Sequence, residues 1–165
     1  MKKTIQGIFL AIALSSYGTV FSKNLLTNCV NGERIFFSCS SKSKVISYCA
    51  SPIKSSSPYL EYRFGSPNKI ELSYKVFGSD LIKKIHRADV LGASSASTAI
   101  WFTNNEISYI LNDPVKGTPS LEVIENKQTI AKFNCEMNFA GDTSMPLKLI
   151  EDESAQEFFR LFEKN

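Results

Sequence analysis

The dominant signal along the chain is a period of two. In Tyr59-Leu60-Glu61-Tyr62-Arg63-Phe64 the residues Leu60, Tyr62 and Phe64 share one face against Glu61 and Arg63. Ile70, Leu72, Tyr74 and Val76 alternate in the same way with Glu71, Ser73 and Lys75. Such alternation is the mark of a half-buried strand, and Gly65-Ser66-Pro67-Asn68 between the two runs has turn composition. A second hairpin is predicted from Ala99–Thr103 and Glu106–Leu111, joined by Asn104-Asn105, because asparagine tolerates the positive φ angles of a two-residue turn. A third joins Leu121–Ile124 to Thr129–Phe133 across Asn126-Lys127, and a fourth pairs Ile35–Cys39 with Lys44–Cys49. Four hairpins and about eight antiparallel strands, with no helical period between them, predict an all-β meander folded as a small barrel or a sandwich.

Two regions depart from that pattern. Residues 77–97 read two ways: Ser79-Asp80 can cap a short helix through Leu81, Ile82 and Ile85, or residues 85–91 can form another strand, with the small residues of 92–97 as a loop. At the C-terminus Ser154 stands three residues before Glu157, a capping-box spacing, and Phe158, Phe159, Leu161 and Phe162 follow at helical intervals. A helix over about 154–163 is expected. So short a helix is marginal alone, so its aromatic face packs on one end of the β domain or enters a partner's groove.

The N-terminus changes the picture of where this domain works. Lys2 and Lys3 precede the apolar stretch Ile5–Leu14, and Val20-Phe21-Ser22 offers a signal-peptidase site. Residues 1–22 are expected to be a cleaved signal peptide, since the apolar run is interrupted by Ser15, Ser16 and Gly18 and falls short of the about 20 residues that span a bilayer. Residues 23–165 then form one domain, periplasmic or extracellular, without a membrane anchor. Its charge is nearly balanced, with 17 Lys and Arg against 16 acids once Lys2 and Lys3 are removed, so nothing points to nucleic acid. The balance is uneven along the chain, with 11 basic against 5 acidic residues over 23–90 and 6 against 11 over 91–165.

Cysteine usage points the same way. Cys29, Cys39, Cys49 and Cys135 are an even set in an exported chain, which reads as two disulfides with three possible pairings. If 33–39 and 44–49 form a hairpin, Cys29 comes beside Cys49 and leaves Cys39 for Cys135. A metal site is disfavoured by the ten-residue spacings and the single histidine, and no cofactor is expected. That histidine, His86, lies in Lys83-Lys84-Ile85-His86-Arg87, a stretch poorly suited to a general base, and no G-x-S-x-G elbow, phosphate loop or dinucleotide fingerprint is present. A non-enzymatic protein is therefore the expectation, an envelope hydrolase being the minority reading.

The features left are surface features. Lys83, Lys84, His86 and Arg87 form a basic cluster, Ser94, Ser95 and Ser97 a run of small polar residues, and Trp101 a potential interface anchor. The signal peptide, the four cysteines, the meander of short strands, the small-residue run leading from Ser94 to Trp101 and the final strand ending in Phe133-Asn134-Cys135 together resemble the small periplasmic β-barrel inhibitors of lysozyme from Gram-negative bacteria. They are similar in style to immunity proteins against cell-wall-degrading effectors. The resemblance implies a protein partner, a secreted toxin or a lysozyme-like enzyme. The inhibitors' Ser-Gly-x-x-Tyr stretch is not matched, because Ser94-Ser95-Ala96-Ser97 lacks the glycine and the tyrosine, so no inhibitory residue is carried over. The alternative binding role is a barrel enclosing a small apolar ligand.

Overall fold

The computed structural model describes residues 25–67, 69–141 and 151–163; the expected signal peptide lies outside them. Two sheets make up the fold. The first contains β1 (Arg34–Ser41), β2 (Lys44–Ala50), β3 (Tyr59–Ser66), β4 (Lys69–Phe77) and the short β10 (Phe139–Gly141), in the order β10-β1-β2-β3-β4. The second contains β5 (His86–Leu91), β6 (Ala96–Asn104), β7 (Ile107–Pro114), β8 (Ser120–Glu125), β9 (Gln128–Asn134) and β11 (Glu151–Asp152), in the order β11-β5-β6-β7-β8-β9. All neighbours are antiparallel except β11, which runs parallel to β5. The four expected hairpins all form. The barrel does not close, because among the described residues β4 and β9 each end a sheet without a further strand neighbour.

Both readings of residues 77–97 are realised in succession. A 3-10 turn at Gly78–Asp80 runs into the one-turn helix α1 (Leu81–Lys84), and β5 follows at once. Leu81 and Ile85 are buried, so this connection carries the chain from one sheet to the other while closing an end of the core.

The sheets pack face to face through rings. Phe64 of β3 meets Phe133 of β9 at 4.9 Å between centroids, whereas Tyr62, two residues earlier, meets Tyr109 of β7 at 5.7 Å and Phe102 of β6 at 5.1 Å. Inward residues of β3 thus touch β6, β7 and β9 of the other sheet. Phe36, Tyr48, Leu60, Ile100, Leu111 and Leu121 complete a core with almost no exposure.

One turn is shifted from its expected place. The central hairpin turns at Asn105-Glu106, with φ of 49° and 68°, and Asn104 instead pairs with Ile107. This register sets Phe102 opposite Tyr109, with the rings stacked at 5.0 Å, Ile100 opposite Leu111, and the hydroxyls of Thr103 and Ser108 at 2.9 Å. Cross-strand pairing outweighs the preference of asparagine for the first turn position. The Asn126-Lys127 turn stands as expected, with φ of 50° and 63°.

The outer face of the second sheet is covered by helix α2 (Ala155–Arg160), shorter than the expected 154–163 because the chain turns at Leu161-Phe162. Ser154 caps it, its hydroxyl accepting from the Glu157 amide at 3.3 Å. Phe158 drops onto Trp101, Ala88, Ala99, Ile110 and Ile124, a second small core. Trp101 is the only tryptophan of the chain and is 5% exposed beneath this helix. Phe158→Ala is expected to cost about 3 kcal/mol and to shift the Trp101 emission to the red as water reaches the ring. An unchanged emission spectrum would show that α2 does not cover it in solution.

Candidate functional site

Two loops meet at one end of the second sheet. Leu91 pairs with Ala96, so Gly92–Ser95 is a four-residue connection, closed by the Gly92 amide donating to the Ser95 carbonyl at 2.8 Å. Beside it the chain leaving β7 is clamped by the Val115 amide donating to the Ala96 carbonyl at 2.9 Å. Between them lies a groove of about 560 Å3, lined by Leu91, Ser94, Ser95, Pro114, Val115 and Lys116 with the small residues of the turn. Leu91 is 78% and Val115 76% exposed, so two branched aliphatic side chains stand in solvent on a backbone that is hydrogen-bonded on both sides. Single exposed aliphatics are ordinary, but here two flank one groove and form an exposed apolar patch.

The sequence-derived candidates separate in space. Ser94 and Ser95 line the groove, while Ser97 sits one strand position inside, paired with Val90 and Pro114. The basic cluster lies at the other end of β5, about 16 Å from Leu91 at 3.3 Å per residue, and it divides. Lys83 and Lys84 are exposed on α1, with Lys84 3.6 Å from Asp80, and His86 and Arg87 point to opposite faces of β5. His86 joins elements: its Nδ1 lies 3.0 Å from Glu153 Oε1 and its ring stacks on Trp101 at 5.4 Å. Trp101 is no surface anchor in this structure, being buried under Phe158; its place on the outer face of β6 puts it where α2 lands.

The sequence holds no sign of Leu91, Val115 or Lys116 as a group, since they come from separate loops. It also left unread a charged network on the outer face of the first sheet. Residues 25–33 lie over β2 and β3, held by the Cys29–Cys49 bridge, by the Asn28 amide on Ser47 Oγ (3.0 Å) and by Ser38 Oγ on the Leu26 carbonyl (3.0 Å). Beneath them Arg63 donates to both oxygens of Glu33 (2.7 and 2.8 Å) and to Glu61 (2.7 Å), Lys75 lies 2.9 Å from Glu61, and the Tyr59 hydroxyl donates to Glu33 at 2.6 Å. Burial opposes ionisation of Glu61, but hydrogen bonds from Arg63, Ser73 and Lys75 outweigh it and hold the carboxyl down at about 2. Glu33 is lowered by the same balance, through Arg63, Tyr59 and the Val30 amide. Its hydrogen bond to Glu33 drives the Tyr59 hydroxyl up to about 12. The two acids and two bases neutralise one another, so the network works as a clamp rather than as an open acid–base pair.

Both disulfides form as the hairpin reasoning expects, Cys29–Cys49 and Cys39–Cys135, and no cysteine is free. Two bridges mark an oxidising, extracytoplasmic compartment. Cys29, Cys49 and Glu33 lie close enough to hold a metal, but the two sulfurs are bonded to each other and leave one carboxylate. Among the described residues no helix is long and apolar enough to cross a membrane. Comparison with family models, with curated proteins and with solved structures finds no match to this chain.

Proposed function

We propose that the chain is a periplasmic protein-binding module, an inhibitor or immunity protein directed at an enzyme that acts on the cell envelope. The observation that carries this reading is the exposure of Leu91 and Val115 on either side of one groove, at a sheet end where both loops are fixed by backbone hydrogen bonds. A pre-ordered apolar centre binds without a large ordering cost, which suits a tight contact with a folded enzyme. Lys116 and the serines at the rim supply polar contacts around that centre. Exposed aliphatics at this end, rather than the basic cluster near α1, are what a partner would cover.

The test is a set of purified peptidoglycan hydrolases, including lysozymes, assayed for lysis of cell-wall suspensions with and without the protein. Inhibition by a stoichiometric complex is expected for at least one of them, together with a loss of about a hundredfold in affinity in the double variant Leu91→Asp, Val115→Asp. Failure to inhibit or bind any hydrolase, or a complex indifferent to the double substitution, would remove the proposal. Both side chains are exposed, so the variant keeps its fold, and a circular dichroism melt checks that.

A further inference from the structure

The two disulfides sit in unlike surroundings. Cys39 lies within β1, paired with Ile46 on one side and Phe139 on the other, and both it and Cys135 are buried in the main core. A reagent reaches that bridge only when the sheets part. Cys29 is half-buried and belongs to residues 25–33, none of which joins a strand. This segment can therefore lift from the first sheet without breaking any strand pair.

Little apolar surface holds the segment down. Leu26 and Val30 are 44% and 61% exposed, and Leu25 is only half-buried. Much of what the segment covers is polar: Ser38 and Ser47, whose hydroxyls lie 2.8 Å apart, and the cluster of Glu33, Glu61 and Arg63. Water can replace the segment's hydrogen bonds there, including that of Arg63 to the Asn28 carbonyl at 2.9 Å. The hydrophobic effect therefore gives the segment little hold, and the Cys29–Cys49 bond is its covalent tie to β2.

We propose that Cys29–Cys49 is a redox latch: a small thiol reduces it while Cys39–Cys135 stays closed, and residues 25–33 then leave the first sheet. A thiolate attacks Cys29 Sγ, the S–S bond breaks, and Cys49 Sγ leaves with the electron pair and takes up a proton. A second thiol attacks the mixed disulfide, freeing Cys29 as a thiol and carrying the reductant away as its own disulfide. Two electrons enter the protein and two thiols of the reductant are oxidised. Opening takes Glu33 off Arg63 and gives Ser38, Ser47 and Arg63 to water, while the ladders of β1 to β4 persist. The latch lies on the first sheet and the Leu91–Val115 groove on the second, so each stands or falls without the other.

Graded dithiothreitol added to the full mature chain, followed by acid quench, alkylation and peptide mass spectrometry, tests the order of opening. Cys29 and Cys49 are expected to be labelled about tenfold faster than Cys39 and Cys135. Hydrogen exchange on the partly reduced protein should then show the amides of Asn28, Val30 and Glu33 unprotected and those of β1 to β3 unchanged. The Cys29→Ser, Cys49→Ser chain should show the same open segment without any thiol, and its remaining bridge should resist the dose that opens the wild type. Labelling of all four cysteines at one rate, earlier opening of Cys39–Cys135, or a segment that keeps its protection in the selectively reduced protein would each overturn the latch.

Discussion

A chain carrying Cys39→Ala and Cys135→Ala is expected to lose about 4–5 kcal/mol of folding free energy, a large share of the roughly 5–15 kcal/mol that holds a domain folded. The bridge spans 96 residues, so its absence returns a large loop entropy to the unfolded chain. It also fastens the end of β1 to the residue after β9, where the Cys135 amide meets the Pro119 carbonyl and the Glu136 amide meets the Ser40 carbonyl. Both half-cystines are buried, so alanine leaves small voids as well. The shorter Cys29–Cys49 loop, of 20 residues, should cost about 3 kcal/mol, with the loss concentrated where residues 25–33 cover the first sheet. Urea unfolding of the two double variants checks the order. If the Cys29–Cys49 variant is the less stable, the loop argument fails.

Arg63→Leu is expected to cost about 3–5 kcal/mol at neutral pH, because it leaves two carboxylates covered and without their main partner. Side-chain exposure is 4% for Glu33 and 11% for Glu61, so neither acid can recover its hydration without movement of the 25–33 segment. The pH dependence should separate this mechanism from simple loss of packing. In the wild type the Glu61 carboxyl is depressed to about 2 from an ordinary 4.5. A depressed acid stabilises the fold above its unfolded value, and that contribution is lost as pH falls through 4.5 towards 2. Allowing for the solvent that still reaches this face, it amounts to about 2 kcal/mol. In Arg63→Leu the slope should reverse, since protonating the stranded carboxylates relieves the burial, and the variant should gain on the wild type as pH drops from 6 to 4. Parallel stability curves for the two proteins over that range would exclude the clamp.

The hairpins were legible because each is specified locally. Alternation marks the strands, and Asn or Gly marks the turn. The Cys29–Cys49 and Cys39–Cys135 pairing then followed from one hairpin. What could not be read depends on contacts between distant segments. The polar face of β3, Glu61 and Arg63, has the pattern of a solvent-facing strand, yet residues 25–33 lie over it, and only the tie at Cys29 hints at this. Trp101 looks equally like an anchor or a core residue until α2 is placed on β6. The groove beside Ser94 and Ser95 exists because two loops distant in sequence are joined by the hydrogen bond from the Val115 amide to the Ala96 carbonyl. Ser94 and Ser95 stand out by composition, whereas Leu91 and Val115 come together only in the fold.

The Cys39–Cys135 bridge also bears on the order of assembly. A chain entering an oxidising compartment from its N-terminus presents Cys29, Cys39 and Cys49 together, while the proper partner of Cys39 is still far behind, at position 135. The early trio admits wrong pairs as readily as the right one. Either the β1–β2 hairpin closes first, setting Cys29 against Cys49 and turning Cys39 to the opposite face, or an early error must later be undone by thiol–disulfide exchange. The two faces of the β1–β2 hairpin thus act as a timer, keeping one thiol in reserve until the last strand of the meander has arrived.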